Sequence, residues 1–534
     1  MRRWNGWGDD TVQYPITPRA AGFLEKKIGK GIPPNDVKLE DILKKIPKSK
    51  LTDSPLVSTD PQQRLRHARG QSFPDWIAMR SGMIGPVPDG VAFPENETDV
   101  GELIQFAVKT GVHLIPYGGG TSVVGHINPS GDDTPLLTVD MRHMNRMTDF
   151  NERSLVATFG AGVSGPDLEA QLRARNCTLG HYPQSFEYST LGGWIATRSK
   201  GQQALGYGRI EDLFSGGTLI SPAGKLTLPA QPASAAGPDL RQLVLGSEGR
   251  IGFITEASVC VSPLPEKEEF HGLFFPDFQA GQAAIREMVQ AGLPLSMLRL
   301  STSVETETTL VLAGHERAIG LVEQYLSVRG VSQDKSMLLA GLSGNERVVK
   351  ATRNEMQAIA KEHGGVKVGK LFGKQWRKSR FRSPYLRNTL WEKGFGVDTL
   401  ETAIPWHLVD ETLTSIEEAI NEAINSFSDR VHLFSHISHL YSSGASVYVT
   451  YIFRLSEDPL ENLLRWEKMK TAASEVIVSK EATISHQHGV GTDHKPYLAA
   501  EKGSLGIELI TDVIRRMDPR GIMNPGKLIN TEWQ

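Results

Sequence analysis

The sequence has few cysteines and no long apolar run. It holds Cys177 and Cys260 among 534 residues, too few for a disulfide framework or a four-cysteine zinc site, and such scarcity is typical of a reducing compartment. No run approaches the ~20 apolar residues that a membrane-spanning helix needs, and the first residues lack the apolar stretch of a secretory signal. We therefore expect a cytoplasmic protein.

Net charge is scarce as well. The 58 Lys and Arg residues nearly balance the 61 Asp and Glu residues, which leaves a formal net charge of -3. A surface without a dominant sign does not gather nucleic acid nonspecifically, so no nucleic-acid partner is expected. Apolar residues at 39% and charged residues at 22% are ordinary for a globular chain and exclude the disordered and collagen-like classes. Because single cores stop growing near ~250–300 residues, we expect two to three domains.

Residue patterns divide the chain into regions of different character. The stretch 23–50 is rich in Lys and interrupted by Pro, so we interpret residues 1–82 as an accessory layer of short helices and turns. From Asn96, a candidate N-cap, a predicted helix alternates with short apolar strands, which indicates an α+β unit. Beyond Pro263 longer amphipathic segments predict the helices of a second domain. The predicted strands lie at 113–116, 136–139 and 155–159, and the amphipathic segments at 280–291, 344–362, 409–424 and 507–517.

Four loops between Pro116 and Ile254 are small, polar and rich in glycine. In the first, three consecutive glycines let backbone N–H groups approach an anion with no Cβ in the way, which suits a pyrophosphate, although a lone triple glycine also suits a flexible turn. Four such loops in one α+β unit exceed what chain turning requires, and one extended cofactor with phosphates and a ring system would use them all. The loops span residues 116–122, 184–190, 192–199 and 246–254.

A further glycine pattern has the spacing of a dinucleotide fingerprint. Residues 160–165 read Gly-Ala-Gly-Val-Ser-Gly between a strand and a predicted helix, which matches GxGxxG. A nicotinamide dinucleotide site would also need an acidic residue about 20 positions on to hold a ribose, and residues 177–184 contain no carboxylate. We therefore interpret this pattern as a structural turn.

The loop pattern resembles the flavin-binding domain of the vanillyl-alcohol oxidase superfamily. Residues 518–527, Asp-Pro-Arg-Gly-Ile-Met-Asn-Pro-Gly-Lys, resemble the closing motif of that superfamily. Within it, residues 4–8, 190–195 and 485–491 resemble the alkyldihydroxyacetonephosphate synthase family, the flavoenzymes that start ether-lipid synthesis. The resemblance spans nearly the whole chain.

The resemblance implies an α+β fold and an FAD cofactor. After the helical extension at 1–82, it places a PCMH-type FAD-binding domain of two subdomains at 83–264. A substrate-binding cap domain with an antiparallel sheet follows at 265–515, and a closing segment at 516–534 returns to the flavin. FAD is expected to be bound without a covalent link. The residues expected to bind it are Pro116, Tyr117, Gly118, Gly119, Gly120, Thr121, Ser122, Gln184, Ser185, Tyr188, Ser189, Thr190, Gly193, Thr197, Arg198, Ser199, Glu248, Gly249, Ile251, Gly252 and Ile254.

The same resemblance implies the reacting groups. Arg387 falls where the family keeps a ligand of the substrate phosphate, and a planar guanidinium that is always charged suits a phosphate. A surface ion pair is the alternative. Tyr448 matches the family's acid/base tyrosine, whereas core packing is the usual role of a strand tyrosine. His486 and His488 are two apart, so on a strand both rings would face one side and steady charge or carry protons; structural histidines are the alternative. Gln487 replaces the middle of the family's three consecutive histidines.

The implied reaction concerns lipids. It exchanges the acyl group of an acyl-dihydroxyacetone phosphate for a long-chain fatty alcohol, with the flavin as an electron sink and no net oxidation. Because both substrates carry long apolar chains, we expect peripheral contact with a membrane surface. A homodimer is expected as well.

Two alternatives stay open at this point. The chain also resembles flavin 2-hydroxyacid dehydrogenases of the D-lactate type, whose metal-dependent members carry a Glu-His pair and two strand histidines. Here Gln487 and Tyr448 replace two of those groups, and an amide and a phenol bind a divalent cation poorly. His436 and His439 keep a metal site conceivable, although none is expected. The other alternative is a flavin-binding protein that has lost this reaction.

Overall fold

The computed structural model describes residues 1–131, 133–314 and 316–530. Helices and sheets both build the molecule, so the predicted α+β class is confirmed. The last residues of the expected closing segment, 531–534, lie outside the described residues.

The first sheet is small and mostly parallel. Its strand Leu136–Asp140 lies between Gly90–Ala92 and His113–Tyr117, both parallel to it, with Val57–Ser58 antiparallel at the edge. Parallel neighbours need a crossover connection, and the helix Glu97–Thr110 supplies one. The first glycine-rich loop therefore begins at the carboxyl end of a parallel strand, which is where sheets of this kind bind ligands.

The crossover helix Glu97–Thr110 forms as its sequence predicts. The Asn96 side chain accepts backbone hydrogen bonds from the first turn, and Gly111, with φ +75°, ends the helix. Helical spacing of the apolar residues predicts that Phe106 shares the buried face with Val100, Leu103, Ile104 and Ala107, but Phe106 is 39% exposed. It lies roughly 100° around the helix from the centre of the buried stripe, so its ring cannot share that stripe. The buried residues are Val100, Leu103, Ile104 and Ala107.

The second sheet is antiparallel and joins the remaining glycine-rich loops to the first sheet. Its central strand is Phe253–Cys260, which directly follows the fourth loop. In spatial order its strands are Met147–Asn151, Val156–Gly160, Phe253–Cys260, Phe214–Ser221 and Gly224–Leu228. A short pair, Cys177–Thr178 with Ser262–Pro263, lies outside this sheet.

The GxGxxG pattern at 160–165 forms a close-packed turn. A Cβ on Gly162 would overlap the carbonyl oxygen of Met141, and a Cβ on Gly160 would overlap that of Met144. Both glycines therefore let two stretches of backbone touch. This packing agrees with the interpretation of the pattern as a structural turn.

A seven-stranded antiparallel sheet dominates the second half of the chain, as expected. Its strands in spatial order are Val366–Gly369, Lys267–Phe275, Ser336–Gly344, Met297–Ser301, Val431–Leu440, Gly444–Arg454 and Phe395–Pro405. The helices Phe278–Gln290, Glu346–Glu362 and Val409–Asn425 share one apolar core with it. Each was predicted to within about two residues at either end, because its amphipathic pattern is strong.

The N-terminal region contributes to the main core as well as covering it. Phe73 and Trp76 are each 1% exposed and belong to the core of the seven-stranded sheet. The Trp7 backbone N–H donates to Asn388 Oδ1 at 3.1 Å, which ties the start of the chain to its second half. The helices of the region are Pro18–Ile28, Leu39–Leu43, Pro61–Arg66 and Phe73–Ser81.

The final described residues return to the first sheet. The helix Leu498–Met517 ends before Asp518, whose carboxylate accepts the Met523 backbone N–H at 2.8 Å. The Asn524 N–H then donates to the carbonyl of Leu114 at 2.8 Å. Residues near the C-terminus are thereby fixed beside the strand that precedes the first glycine-rich loop.

The remaining helices connect these parts. They are Gly165–Arg173, Leu191–Thr197, Ala204–Tyr207, Ile210–Leu213, Arg241–Val244, Ser303–Ala313, Glu316–Val328, Leu371–Ser379, Leu386–Glu392 and Pro459–Ser479. In the part of the chain that the structure describes, every helix is too short or too polar to cross a bilayer.

Replacing Gly162 by alanine tests the packing role of the glycine pattern. Because the new Cβ would overlap the Met141 carbonyl oxygen, we expect Gly162→Ala to lose about 1–3 kcal/mol of stability, measured as a lower thermal midpoint. Gly101→Ala is the matched control, since a Cβ there meets no atom within 4 Å and alanine is the better helix former. Equal midpoints for the two variants would contradict the packing role.

Candidate active site

The glycine-rich loops converge on one cleft. Residues from all four loops line it, and the second half of the chain adds Gln487 and His488, while the closing segment adds Asn524. The expected FAD-binding residues that line the cleft are Pro116, Tyr117, Gly118, Gly119, Gly120, Thr121, Ser122, Ser185, Ser189, Thr190, Gly193, Thr197, Ser199, Glu248, Gly249, Gly252 and Ile254. The structure therefore brings most of the predicted cofactor residues to one place.

Four of the expected FAD-binding residues do not line this cleft. The side chains of Gln184 and Tyr188 bond instead to the loop at 383–385. The Arg198 guanidinium donates to a backbone carbonyl at 3.2 Å, and Ile251, 3% exposed, packs in an apolar core. Contacts of these four residues with FAD stay a prediction from the resemblance.

The first loop presents buried N–H groups that need an acceptor. Gly119 and Gly120 are buried, and no acceptor among the described residues takes their backbone N–H groups. A buried amide without a partner costs about as much as a lost hydrogen bond, and successive amides of this kind bind anions. Asn524 adds a buried amide oxygen without a partner in the same cleft. These groups fit a pyrophosphate-bearing cofactor with a polar ring edge, as FAD has.

The segment 485–491 reaches the cleft and is held by the buried carboxylate of Glu401. It forms bends rather than a strand, so the expected strand geometry of the histidines is wrong. Glu401 Oε1 accepts the backbone N–H groups of Gln487 and, at 3.0 Å, of His488. The same carboxylate lies 3.5 Å from His486 Nδ1 and 3.7 Å from His488 Nδ1. Both imidazoles thus face one carboxylate even though the backbone is not extended.

A second buried carboxylate, Glu248, holds the far end of this segment. It accepts the backbone N–H groups of Val490 at 2.6 Å and Gly491 at 2.8 Å, and it lies 3.1 Å from His126 Nε2. The Asn524 side chain donates to the Glu248 carbonyl at 2.7 Å. The fourth glycine-rich loop, the segment and the closing residues are therefore joined at one point of the cleft.

A row of polar side chains crosses the seven-stranded sheet beside the segment. His436, Tyr448 and Glu401 lie opposite one another on three neighbouring strands, and residues directly opposite share one face of an antiparallel sheet. The His436 ring stacks on Tyr448 with centroids 4.9 Å apart, and Tyr448 meets the His488 ring edge to face at 6.0 Å. Because His488 lines the cleft, Tyr448 stands directly behind the cleft wall.

Burial favours the neutral forms of these groups. It raises the pKa of the Tyr448 phenol above its usual range and lowers the pKa of His486 to about 3. Burial also lowers the pKa of His488, against the attraction of Glu401. A neutral imidazole has a lone pair that can accept a proton, and a neutral phenol has a proton that it can donate.

Arg387 lies close to this row without lining the cleft. Its Nη1 donates to the Gln71 carbonyl at 2.7 Å, and its guanidinium lies 4.4 Å above the Trp76 ring. Burial lowers its pKa, while Asp398 and Tyr448 raise it. Arg387 forms no ion pair with any described residue, which argues against the surface ion pair, and most of its N–H groups remain available to an anion.

His436 of this row and the nearby His439 contact other protein side chains. His436 Nδ1 lies 3.1 Å from Glu305 Oε1 and 3.2 Å from Arg299 Nη2, and the ring of His439 lies 5.0 Å from that of His486. Across residues 1–131, 133–314 and 316–530, no group of three or more His, Cys, Asp and Glu side chains is placed to hold a metal ion.

Comparisons with known proteins agree with this geometry. A family model described as FAD binding domain matches residues 88–228, and one described as FAD linked oxidases, C-terminal domain, matches residues 264–528. Alkyldihydroxyacetonephosphate synthase of Dictyostelium discoideum is 31% identical over 482 residues, which cover 88% of this chain and 78% of that protein. The chain belongs to the alkyldihydroxyacetonephosphate synthase family.

Other members of the family extend the match over the full length. The synthase of Trypanosoma brucei brucei is 28% identical over 576 residues and covers 99% of this chain and 92% of its own. A solved structure titled "alkyldihydroxyacetonephosphate synthase in P212121" superposes with a TM-score of 0.85 at 27% identity and covers 98% of each chain. The expected fold is confirmed, and FAD is the cofactor.

Sequence analysis missed Glu401, His126 and the side-chain role of Asn524. Of these, Glu401 had a signal that could have found it, since it is one of two acidic residues, with Asp398, within the long strand Phe395–Pro405, and a buried acidic residue often marks a function or a specific partner. His126 and Asn524 are placed by contacts between distant parts of the chain, which spacing does not reveal.

Replacing Gly119 by alanine tests the cradle. A Cβ there would overlap the Tyr188 carbonyl oxygen and displace the loop whose N–H groups face the cleft. We expect Gly119→Ala to weaken FAD binding about tenfold or more, measured as flavin absorbance retained per chain after gel filtration. Gly101→Ala, away from the cleft, should keep the wild-type flavin content. Full retention by Gly119→Ala would contradict the assignment.

Proposed function

We propose that this enzyme exchanges the acyl group of an acyl-dihydroxyacetone phosphate for a long-chain alcohol and releases a fatty acid and the alkyl ether. The relatives named alkyldihydroxyacetonephosphate synthase support this function. The observation that carries it is the contact of Tyr448 with His488 at the wall of the cofactor cleft, with Arg387 close by. A proton-transfer pair and a phosphate ligand thus adjoin the flavin site.

The cofactor and the phosphate occupy separate parts of this arrangement. The N–H groups of the loop at 116–122 and the amide of Asn524 would hold FAD, which when bound supplies an electron sink beside the reacting carbon. Arg387 would grip the substrate phosphate through the N–H groups that no protein acceptor takes, while stacking on Trp76 fixes the plane of its fork.

Tyr448 and the histidines would manage the protons of the exchange. The bond between the reacting carbon and the acyl oxygen breaks, the fatty acid leaves as a carboxylate, and a new carbon–oxygen bond forms to the alcohol. Tyr448 would move the proton at the reacting carbon, and His488 with His486 would steady the charge and take the alcohol proton. In their neutral forms the imidazoles can accept a proton and the phenol can donate one.

Anaerobic mixing tests the function against its alternatives. The proposal expects an acyl-dihydroxyacetone phosphate and a long-chain alcohol to yield ether and fatty acid in equal amounts with no electron acceptor present. Stoichiometric bleaching of the flavin by a 2-hydroxy acid, with no exchange, would support the dehydrogenase instead. Absence of both reactions in the flavin-loaded protein would support a binding protein without this activity.

Variants of Tyr448 and Arg387 test their separate roles. We expect Tyr448→Phe to lower kcat about 100-fold or more with little change in KM, because general acid and base catalysis contributes about 10²–10⁴-fold. Arg387→Lys should mainly raise KM for the phosphate substrate, because an ammonium cannot replace the bidentate fork. Both should retain FAD. Tyr325→Phe, at a tyrosine that is 43% exposed, is the control. Wild-type turnover in both variants would refute the assignment.

Peripheral contact with a membrane is the second part of the proposal. The helix Leu498–Met517 carries Leu505 and Leu509 one turn apart, 66% and 60% exposed, and adjacent exposed leucines are suited to partial insertion into lipid. Removing them should not disturb the core.

The double variant Leu505→Ser/Leu509→Ser tests this contact by co-sedimentation with phospholipid vesicles. We expect several-fold weaker binding, because two apolar side chains no longer leave water. Leu321→Ser/Val328→Ser, at residues 69% and 87% exposed on another helix, is the matched control. Equal binding of both double variants would contradict the choice of this helix.

Four expectations from the sequence belong to the same proposal. The protein is proposed to be cytoplasmic and a homodimer, with non-covalent FAD. Its domain boundaries are proposed at 82/83, 264/265 and 515/516, and the family models that match 88–228 and 264–528 support the middle boundary. Light scattering coupled to gel filtration measures the oligomeric state directly.

A further inference from the structure

Glu401 is a buried acidic residue that the proposed mechanism does not use. It is 2% exposed on the strand Phe395–Pro405, between Leu400 at 3% and Thr402 at 0%. Its Oε2 forms no hydrogen bond with any residue that the structure describes. Burying a carboxylate in this way is costly unless it is paired or bonded, so its retention here calls for a compensating role.

The surroundings of Glu401 point to the segment it contacts. Glu401 stands opposite Tyr448 in the sheet, and its Oε1 accepts the N–H groups of Gln487 and His488. Its two oxygens lie 3.5 and 3.7 Å from the imidazoles of His486 and His488. One carboxylate therefore links the strand of Tyr448 to the backbone and rings of the His-Gln-His residues.

We propose that Glu401 is a positioning residue that holds residues 486–488 against Tyr448, and thereby keeps the His488 ring at the wall of the cleft. It acts on the reaction only through His488 and Tyr448, since it does not line the cleft itself. Its effect on turnover rests on the proposed function, whereas its hold on the segment does not.

The rigidity of this hold explains why a loop can carry reacting groups. Residues 486–488 form bends within a segment that is neither helix nor strand, and loops are in general more mobile than strands. A buried acidic side chain that accepts two successive N–H groups fixes such a loop to the sheet, because an N–H group that loses its acceptor costs free energy. A misplacement of about 1 Å at a reacting group costs about 100-fold in rate.

The chain offers a matched control in Glu169. This residue is 5% exposed, and its carboxylate accepts the backbone N–H groups of Leu179 at 3.0 Å and Gly180 at 3.3 Å. Its carboxylate therefore accepts two backbone N–H groups, as that of Glu401 does, at a place that does not line the cleft. Loss of either carboxylate should make its own segment more mobile, but only loss of the Glu401 carboxylate should slow the reaction.

The experiment compares Glu401→Ala, Glu401→Gln and Glu169→Ala, each as the full chain loaded with FAD. Hydrogen–deuterium exchange followed by mass spectrometry reports the backbone of residues 485–491 and 177–181, and steady-state kinetics report kcat and KM. Glu401→Gln keeps an oxygen that can accept the two N–H groups but carries no charge. It tests the proposal even where Glu401→Ala fails to fold.

We expect a loss of hydrogen-exchange protection that is confined to one segment and, for the Glu401 variants, a loss of kcat that is smaller for Gln than for Ala. Glu401→Ala should exchange faster at 485–491 only and lose about 100-fold in kcat, with KM and FAD content within about twofold of wild type. Glu401→Gln should fall between Glu401→Ala and wild type in both measurements. Glu169→Ala should exchange faster at 177–181 only and keep its kcat.

Two results would overturn the proposal. One is unchanged exchange at 485–491 in the Glu401 variants, which would show that the carboxylate does not hold the segment. The other is a wild-type kcat in Glu401→Ala, which would show that the hold does not serve the reaction. If the wild-type protein does not replace the acyl group by an alcohol, the proposed function fails. The hydrogen–deuterium measurement at residues 485–491 then still decides whether Glu401 positions the segment.

Discussion

Buried backbone N–H groups must find acceptors, and this constraint organises the whole site. Two carboxylates from different parts of the fold supply acceptors along the segment 485–491. Glu401 accepts the N–H groups of residues 487 and 488, and Glu248 accepts those of residues 490 and 491. In the same cleft, Gly119 and Gly120 are buried and no described residue accepts their N–H groups. The phosphates of FAD would supply those acceptors, in line with the predicted cofactor role of this loop.

The fold explains why these groups can meet. A parallel strand delivers the first loop at its carboxyl end, the antiparallel second sheet delivers the fourth loop, and the seven-stranded sheet delivers Tyr448 and Glu401 in register. The segment 485–491 and the closing residues then bridge these units. Each proposed reacting group is thus held by a helix or strand, or by hydrogen bonds to a side chain of one, as the precise positioning of catalytic groups requires.

Local patterns predicted much of this architecture. The helix Glu97–Thr110 followed from its N-cap and its apolar spacing, and three long helices of the second half, Phe278–Gln290, Glu346–Glu362 and Val409–Asn425, followed from theirs. The helix Pro459–Ser479 was not predicted, and Leu498–Met517 was predicted only from residue 507. The glycine-rich loops were found because glycine is needed wherever backbone approaches a ligand or another backbone. The GxGxxG pattern was interpreted as a structural turn because no carboxylate follows at the distance of a ribose, and its glycines pack against other backbone.

Other features depend on contacts that no local pattern contains. The segment 485–491 was expected to be a strand, but its N–H groups are satisfied by side chains rather than by a neighbouring strand, so it bends. Phe106 is 39% exposed because the apolar stripe of its helix is narrower than its run of apolar residues suggests. The function of Glu401 is visible only once strand register places it opposite Tyr448.

The visible absorption spectrum of the purified protein, before and after acid precipitation, tests the central claim most directly. If the buried amides of the glycine-rich loop hold FAD without a covalent bond, the protein is yellow and the flavin stays in the supernatant when the chain precipitates. A colourless protein that takes up no FAD on reconstitution would contradict the assignment of the cleft. Colour that precipitates with the chain would contradict non-covalent binding.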